Sequence, residues 1–122
     1  MAENYFELVG RVGWVECKCL ESGMMMTKCT IGQNTGKKDA EGKYIYENFF
    51  VTFFNSPEAK YKVAEDFADE NKKGDYIKVK GILKIDKFIP EGSPKAVERL
   101  SLIGRAFNKV RFDEFEKQYV DV

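Results

Sequence analysis

The stretch NFFVTFFNSPEAKYKVAEDFADENKKGDYIKVKG, residues 48–81, changes periodicity twice, and that change decides the fold. It opens with FFVTFF, residues 49–54, in which four of six positions are phenylalanine. Strand side chains alternate between two faces, so Phe49, Val51 and Phe53 form one face and Phe50, Thr52 and Phe54 the other. The first set is the expected core. The helix signals come next: Ser56 as N-cap, Pro57 at the first helical position, acids early, lysines late and Gly74 as the stop. Ala59, Val63, Ala64 and Phe67 fall on one stripe at helical spacing, which predicts an amphipathic helix packed on a sheet. Period two then returns in DYIKVKGILKIDKF, residues 75–88. Ile77, Val79, Gly81, Leu83 and Ile85 share its inner face; Tyr76, Lys78, Lys80, Ile82, Lys84, Asp86 and Phe88 share the outer one.

Upstream, NYFELVGRVG (residues 4–13) carries two glycines in GRVG, and glycine inside a strand marks a bend or a close backbone approach. A long curved first strand is expected, then a turn at Ser22-Gly23. The second strand places Thr27, Cys29 and Ile31 inward and Lys28 and Thr30 outward. Residues 33–43, QNTGKKDAEGK, predict a polar hairpin loop, and YIYENFFVTFF, residues 44–54, a long third strand. Downstream, a Pro/Gly loop (IPEGSPKAV) leads to a last strand, ERLSLIGRAF, with Leu100 and Leu102 inward and Arg99, Ser101 and Arg105 outward. Trp14 and the methionines 24–26 are expected to pack or to fill subunit-contact gaps. The order is three strands, one helix, two strands. That is the layout of the OB-fold, an all-β, five-stranded antiparallel Greek-key barrel with its helix between strands 3 and 4.

The 122 residues suffice for one domain with a real core. We expect it to span residues 1–111, followed by a short acidic extension, residues 112–122. Lys plus Arg and Asp plus Glu balance at 20 each, so totals alone argue for no charged partner. Their distribution is uneven: from Lys78 to Arg111 nine basic residues face three acids, a local excess of six. The absence of histidine removes the commonest general base, and no nucleophile elbow or phosphate-cradling loop is present, so no enzyme is expected. Cys17, Cys19 and Cys29 lack the partners that a four-ligand zinc site needs, so neither metal nor cofactor is expected. Three cysteines fit a reducing compartment, and no run approaches the roughly 20 apolar residues that span a bilayer. A cytoplasmic location is expected, nucleoid-associated or in a host cytoplasm.

These segments together resemble the bacterial and phage single-stranded DNA-binding protein family. NYFELVGRVG is similar to its opening strand, with Asn4, Gly10 and Gly13 in place; NFFVTFF occupies its third strand, and KKGDYIKVKGILKIDKF its fourth. The resemblance runs over about residues 4–107. It implies that Phe54 and Phe88 match stacking aromatics, that Lys84 and Lys87 match basic positions before the second aromatic, and that the chain forms a homo-oligomer, dimer or tetramer. It also implies replication or recombination proteins as partners. Four departures stand out. Asn48 replaces a usual aromatic, Lys37 lies near another, Asp86 replaces a frequent basic residue, and the chain ends EKQYVDV instead of in a Gly-rich tail with an acidic tip.

The residues themselves lead the same way. Exposed phenylalanines beside a lysine stripe are unfavourable in water unless covered, and single-stranded nucleic acid covers them by stacking its bases while lysines track the phosphates. The expected single-stranded DNA site is Phe50, Phe54, Phe88, Lys37, Lys78, Lys80, Lys84, Lys87 and Arg105, serving replication, recombination or repair. The alternative is an OB-like protein–protein subunit of such a complex that does not touch DNA. An OB-fold enzyme or an RNA-specific binder is a more distant option.

Overall fold

Alternating apolar and polar residues carry the chain through long strands, because β-branched and aromatic side chains fit a pleated, half-buried surface. The computed structural model describes residues 3–122. In order it contains β1 (Phe6–Cys19), β2 (Met25–Lys38), β3 (Tyr44–Asn55), α1 (Val63–Glu70), β4 (Tyr76–Phe88), β5 (Val97–Asp113) and β6 (Gln118–Asp121). The strands lie in the order β3-β2-β1-β4-β5-β6, and an additional β3–β5 pairing closes the first five into a barrel. The helix sits between strands 3 and 4, as an OB-fold requires.

The barrel is mixed, not purely antiparallel. Val51, Thr52 and Phe53 pair in parallel with Leu102, Ile103 and Gly104, whereas every other pairing is antiparallel. β5 continues through positions 111 and 112 before β6 folds back on it, so residues 112–122 include a strand pair. Among the described residues no helix is long and apolar enough to cross a membrane.

Thr27, Cys29, Ile31, Val51, Phe53, Ile77 and Val79 are fully buried, in the register that alternation predicts. Val63, Ala64 and Phe67 seal the same core from the helix. Three rings fix its centre: Phe67 stacks on Phe53 at 4.5 Å, and Phe107 meets Phe67 and Phe53 edge-on at 5.1 and 6.2 Å. Burial of each such side chain contributes about 1.5–3 kcal/mol.

Phe107 reaches the core through a β-bulge. Lys80 pairs with Ala106 but Gly81 pairs with Gly104, leaving Arg105 as an extra residue that reverses the alternation of β5. Gly13 is the corresponding extra residue in β1, between the paired Val12 and Trp14, and it lets both Val12 and Val15 face the core.

Several expected placements are corrected. The helix begins at Val63, not after Ser56, with residues 57–62 in turns and bends. Its N-terminus is capped by Asn55 at the end of β3, whose Oδ1 accepts from the Ala64 amide at 2.9 Å. This side chain reaches the helix end across the chain reversal, so no local cap is required. The expected loop over residues 33–43 is mostly strand: β2 runs to Lys38 and only residues 39–43 form the tip. Phe49 is half-buried, outside the core, while Leu83, Ile85 and Leu100 are exposed, Leu100 to 58%. They keep the core-facing parity, but their parts of the strands extend past the barrel.

Candidate nucleic-acid interface

β3 and β5 run in parallel and pair over only three residues each. Their N-terminal halves leave the barrel on the same side, β3 in a hairpin arm with β2 and β5 in a second arm with β4. A groove of about 600 Å³ lies where the arms separate. From β2 come Met26 and Lys28, from β3 Phe50, Thr52 and Phe54, and from the β4–β5 arm Lys84, Asp86, Arg99, Leu100 and Ile103.

Strand alternation selects these side chains. Phe50, Thr52 and Phe54 are the outer face of β3, and Lys28 stands directly opposite Thr52. Phe50 is 71% exposed, an unfavourable position for a ring unless a partner covers it. Phe54 is partly covered and also borders a smaller adjoining hollow with Met24, Ile82, Lys84 and Arg105. Lys28, Lys84 and Arg99 are the groove's cations and Asp86 is its one acid, which accepts a 2.5 Å hydrogen bond from the Ser101 hydroxyl. At the arm's tip the Arg99 guanidinium lies 5.0 Å from the centroid of the Phe88 ring, within cation–π range. Phe88 thereby joins the groove through Arg99.

The nine expected site residues therefore separate. Phe50, Phe54 and Lys84 converge, with Arg105 adjacent and Phe88 at the edge. Lys87 has the opposite parity to Lys84 and Phe88, and pairs with Glu98 at 3.7 Å. Lys80 faces Glu7 across β1 and β4 at 3.8 Å. Lys78 donates to Asp121 at 2.8 Å, and Asn108 donates to the same oxygen at 2.9 Å. This bond raises the Lys78 pKa and, with that from Asn108, holds Asp121 below the ordinary carboxylate value. Lys37 lies far out on β2, past Gly36.

Lys28 and Arg99 were missing from the expected set. Both are recoverable from sequence: Lys28 shares the outward parity of Thr30, and Arg99 lies two residues into the strand that returns from Phe88. Trp14 is partly exposed in the middle of β1, outside the groove. Met26 is nearly buried beneath the groove and Met25 packs against the core, in keeping with methionine's use as a gap filler. Cys29 is buried, and burial pushes its thiol up to about 12, so it is a neutral core residue; Cys17 and Cys19 are exposed.

No family model matches the chain, and no curated protein matches it in sequence. A solved structure does match: the crystal structure of the SSB domain of a protein from Synechococcus sp., with a TM-score of 0.60 over 88% of this chain and 96% of that one. The chain has the SSB-domain fold. At 12% identity the likeness is one of backbone, and the groove residues stand on the geometry described above.

Proposed function

We propose that this chain is a sequence-tolerant single-stranded DNA-binding protein without catalytic activity, acting on exposed strands in replication, recombination or repair. One observation carries the proposal: Phe50 and Phe54 lie in one open groove with Lys28, Lys84 and Arg99. Bases stack on aromatic rings irrespective of sequence, each contributing about 1–3 kcal/mol, and the cations neutralise the phosphates. The SSB-domain backbone supports the same reading.

The exposed apolar pair Leu83 and Ile85, of opposite parity to Lys84 and Asp86 on β4, favours assembly, and we assign it to a homo-oligomeric contact. It also favours the second reading, a protein–protein subunit that does not touch DNA. A cytoplasmic or nucleoid-associated location follows from the DNA-binding role. Fluorescence anisotropy with labelled oligo-dT separates the two readings. The native protein should bind the single strand in preference to duplex, and Phe54→Ala should weaken binding about 5- to 150-fold, the equivalent of one lost stack. Absence of binding at low salt would refute the proposal and leave the protein-contact reading.

A further inference from the structure

A second aromatic site lies on the outer face of the same sheet. Tyr46 of β3, Tyr76 of β4 and Tyr119 of β6 border a cavity of about 300 Å³ together with Arg11, Gln33 and Asn34. The rings of Tyr76 and Tyr119 lie 5.5 Å apart and 30° from parallel, and the Phe112 ring braces Tyr119 edge-on at 5.4 Å. The Lys78–Asp121 bond and the Asn108–Asp121 bond hold β6, and with it Tyr119, against the barrel. Burial, together with the neighbouring Tyr76 and Tyr46, pushes the Tyr119 hydroxyl above its ordinary value, so it stays neutral.

Polar groups stand beside the rings. The Arg11 guanidinium lies 6.0 Å from the Tyr76 ring and makes no ion pair among the described residues. Gln33 Nε2 donates to the Val9 carbonyl at 3.0 Å, and Asn34 Oδ1 accepts from the Gly36 amide at 2.8 Å. Each amide is thus held by one end, and the Gln33 carbonyl oxygen and the Asn34 amino group remain for a base edge.

Position links this cavity to the groove. Tyr46 and Phe50 have the same outward parity on β3, four residues and so about 13 Å apart. Between them the sheet surface is low: Gly32 pairs with Asn48 on β3 and with Arg11 on β1. We propose that Arg11, Tyr46, Tyr76 and Tyr119 form a second single-strand contact, onto which a DNA strand leaving the Phe50–Phe54 groove continues across β2 and β1. This rests on the DNA-binding reading above and extends it: β6 supplies a stacking ring, and the protein's footprint on DNA is longer than the groove.

The test compares oligo-dT of about 4 and about 16 nucleotides, the range that single OB-folds cover. Both are titrated by anisotropy against the native chain, Tyr119→Ala, Tyr119→Phe and Arg11→Gln, with circular dichroism and sedimentation on each variant. Tyr119→Ala and Arg11→Gln should each weaken the long oligomer about 5-fold or more and leave the short one unchanged, while Tyr119→Phe, which keeps the ring, binds like the native chain. Equal effects on both lengths, or none on the long oligomer, would overturn the second contact while leaving the groove intact. A folded Arg11→Gln that changes oligomeric state and not the long-to-short affinity ratio would overturn it too, in favour of an interface between copies. Failure of the native chain to bind either oligomer would defeat the DNA-binding reading itself.

Discussion

Gly104→Ala tests how the barrel closes. An added Cβ would lie 2.3, 2.6 and 2.6 Å from three carbons of the Phe53 ring, distances that real Cβ contacts do not reach. The ring has little room to move: it is fully buried, stacked on Phe67 at 4.5 Å, and edge-on to Phe107. Moving it displaces α1; moving Gly104 breaks the short β3–β5 pairing, in which Phe53 and Gly104 are partners. Overpacking of this kind costs about 1–3 kcal/mol, and the upper half of that range is expected where ring and backbone are both held. Against a total stability on the order of 10 kcal/mol, and with a urea m-value near 2 kcal/mol/M, the midpoint should fall by about 1 M. Urea titration followed by far-UV circular dichroism measures it. Phe53→Leu removes the ring edge that collides, so Gly104→Ala/Phe53→Leu should be less destabilised than the sum of its parts by more than about 1 kcal/mol. A Gly104→Ala protein within about 0.5 kcal/mol of native, the range of an inert surface change, would refute the closure geometry.

Two further outcomes follow from the core. Asn55→Ala removes the acceptor of the Ala64 amide and should cost about 1–2 kcal/mol in urea titration, whereas Ser56→Ala should cost less than about 0.5 kcal/mol because Ser56 caps nothing. Cys29 has a folded pKa of about 12 against 9.0 for an ordinary thiol, so its contribution is complete below pH 9 and is lost as pH rises toward 12. The native chain should therefore lose up to about 1.4 kcal/mol per pH unit over that window relative to Cys29→Ala, and a thiol reagent near pH 8 should modify Cys17 and Cys19 but reach Cys29 only on unfolding.

Alternation made the barrel legible. Thr27, Cys29 and Ile31, then Val51 and Phe53, then Ile77 and Val79 are buried in the expected parity, and the helical stripe supplied Val63, Ala64 and Phe67. Parity states which side of a strand a residue occupies but not where the barrel stops, so Leu83, Ile85 and Leu100 read as core and stand exposed. The bulge at Arg105 is set by a pairing partner, Gly81, distant in sequence, so parity along β5 alone does not place Phe107 in the core. The helix start was hidden for the same reason: its cap, Asn55, is the end of a strand. At the candidate site, ring and lysine parity brought out Phe50, Phe54 and Lys84. Lys78, Lys80 and Lys87 have acidic neighbours that only strand pairing, or β6, brings to them.

On the proposed reading, the groove between the two arms receives single-stranded DNA. A map of backbone amide shifts in the 15N-labelled protein, as a short oligo-dT is added, tests this. The largest changes should fall on residues 50–54, 82–88 and 97–103, with α1 unaffected. Changes confined to α1 or to residues 39–43, or none at all at saturating oligomer, would contradict the assignment of the groove.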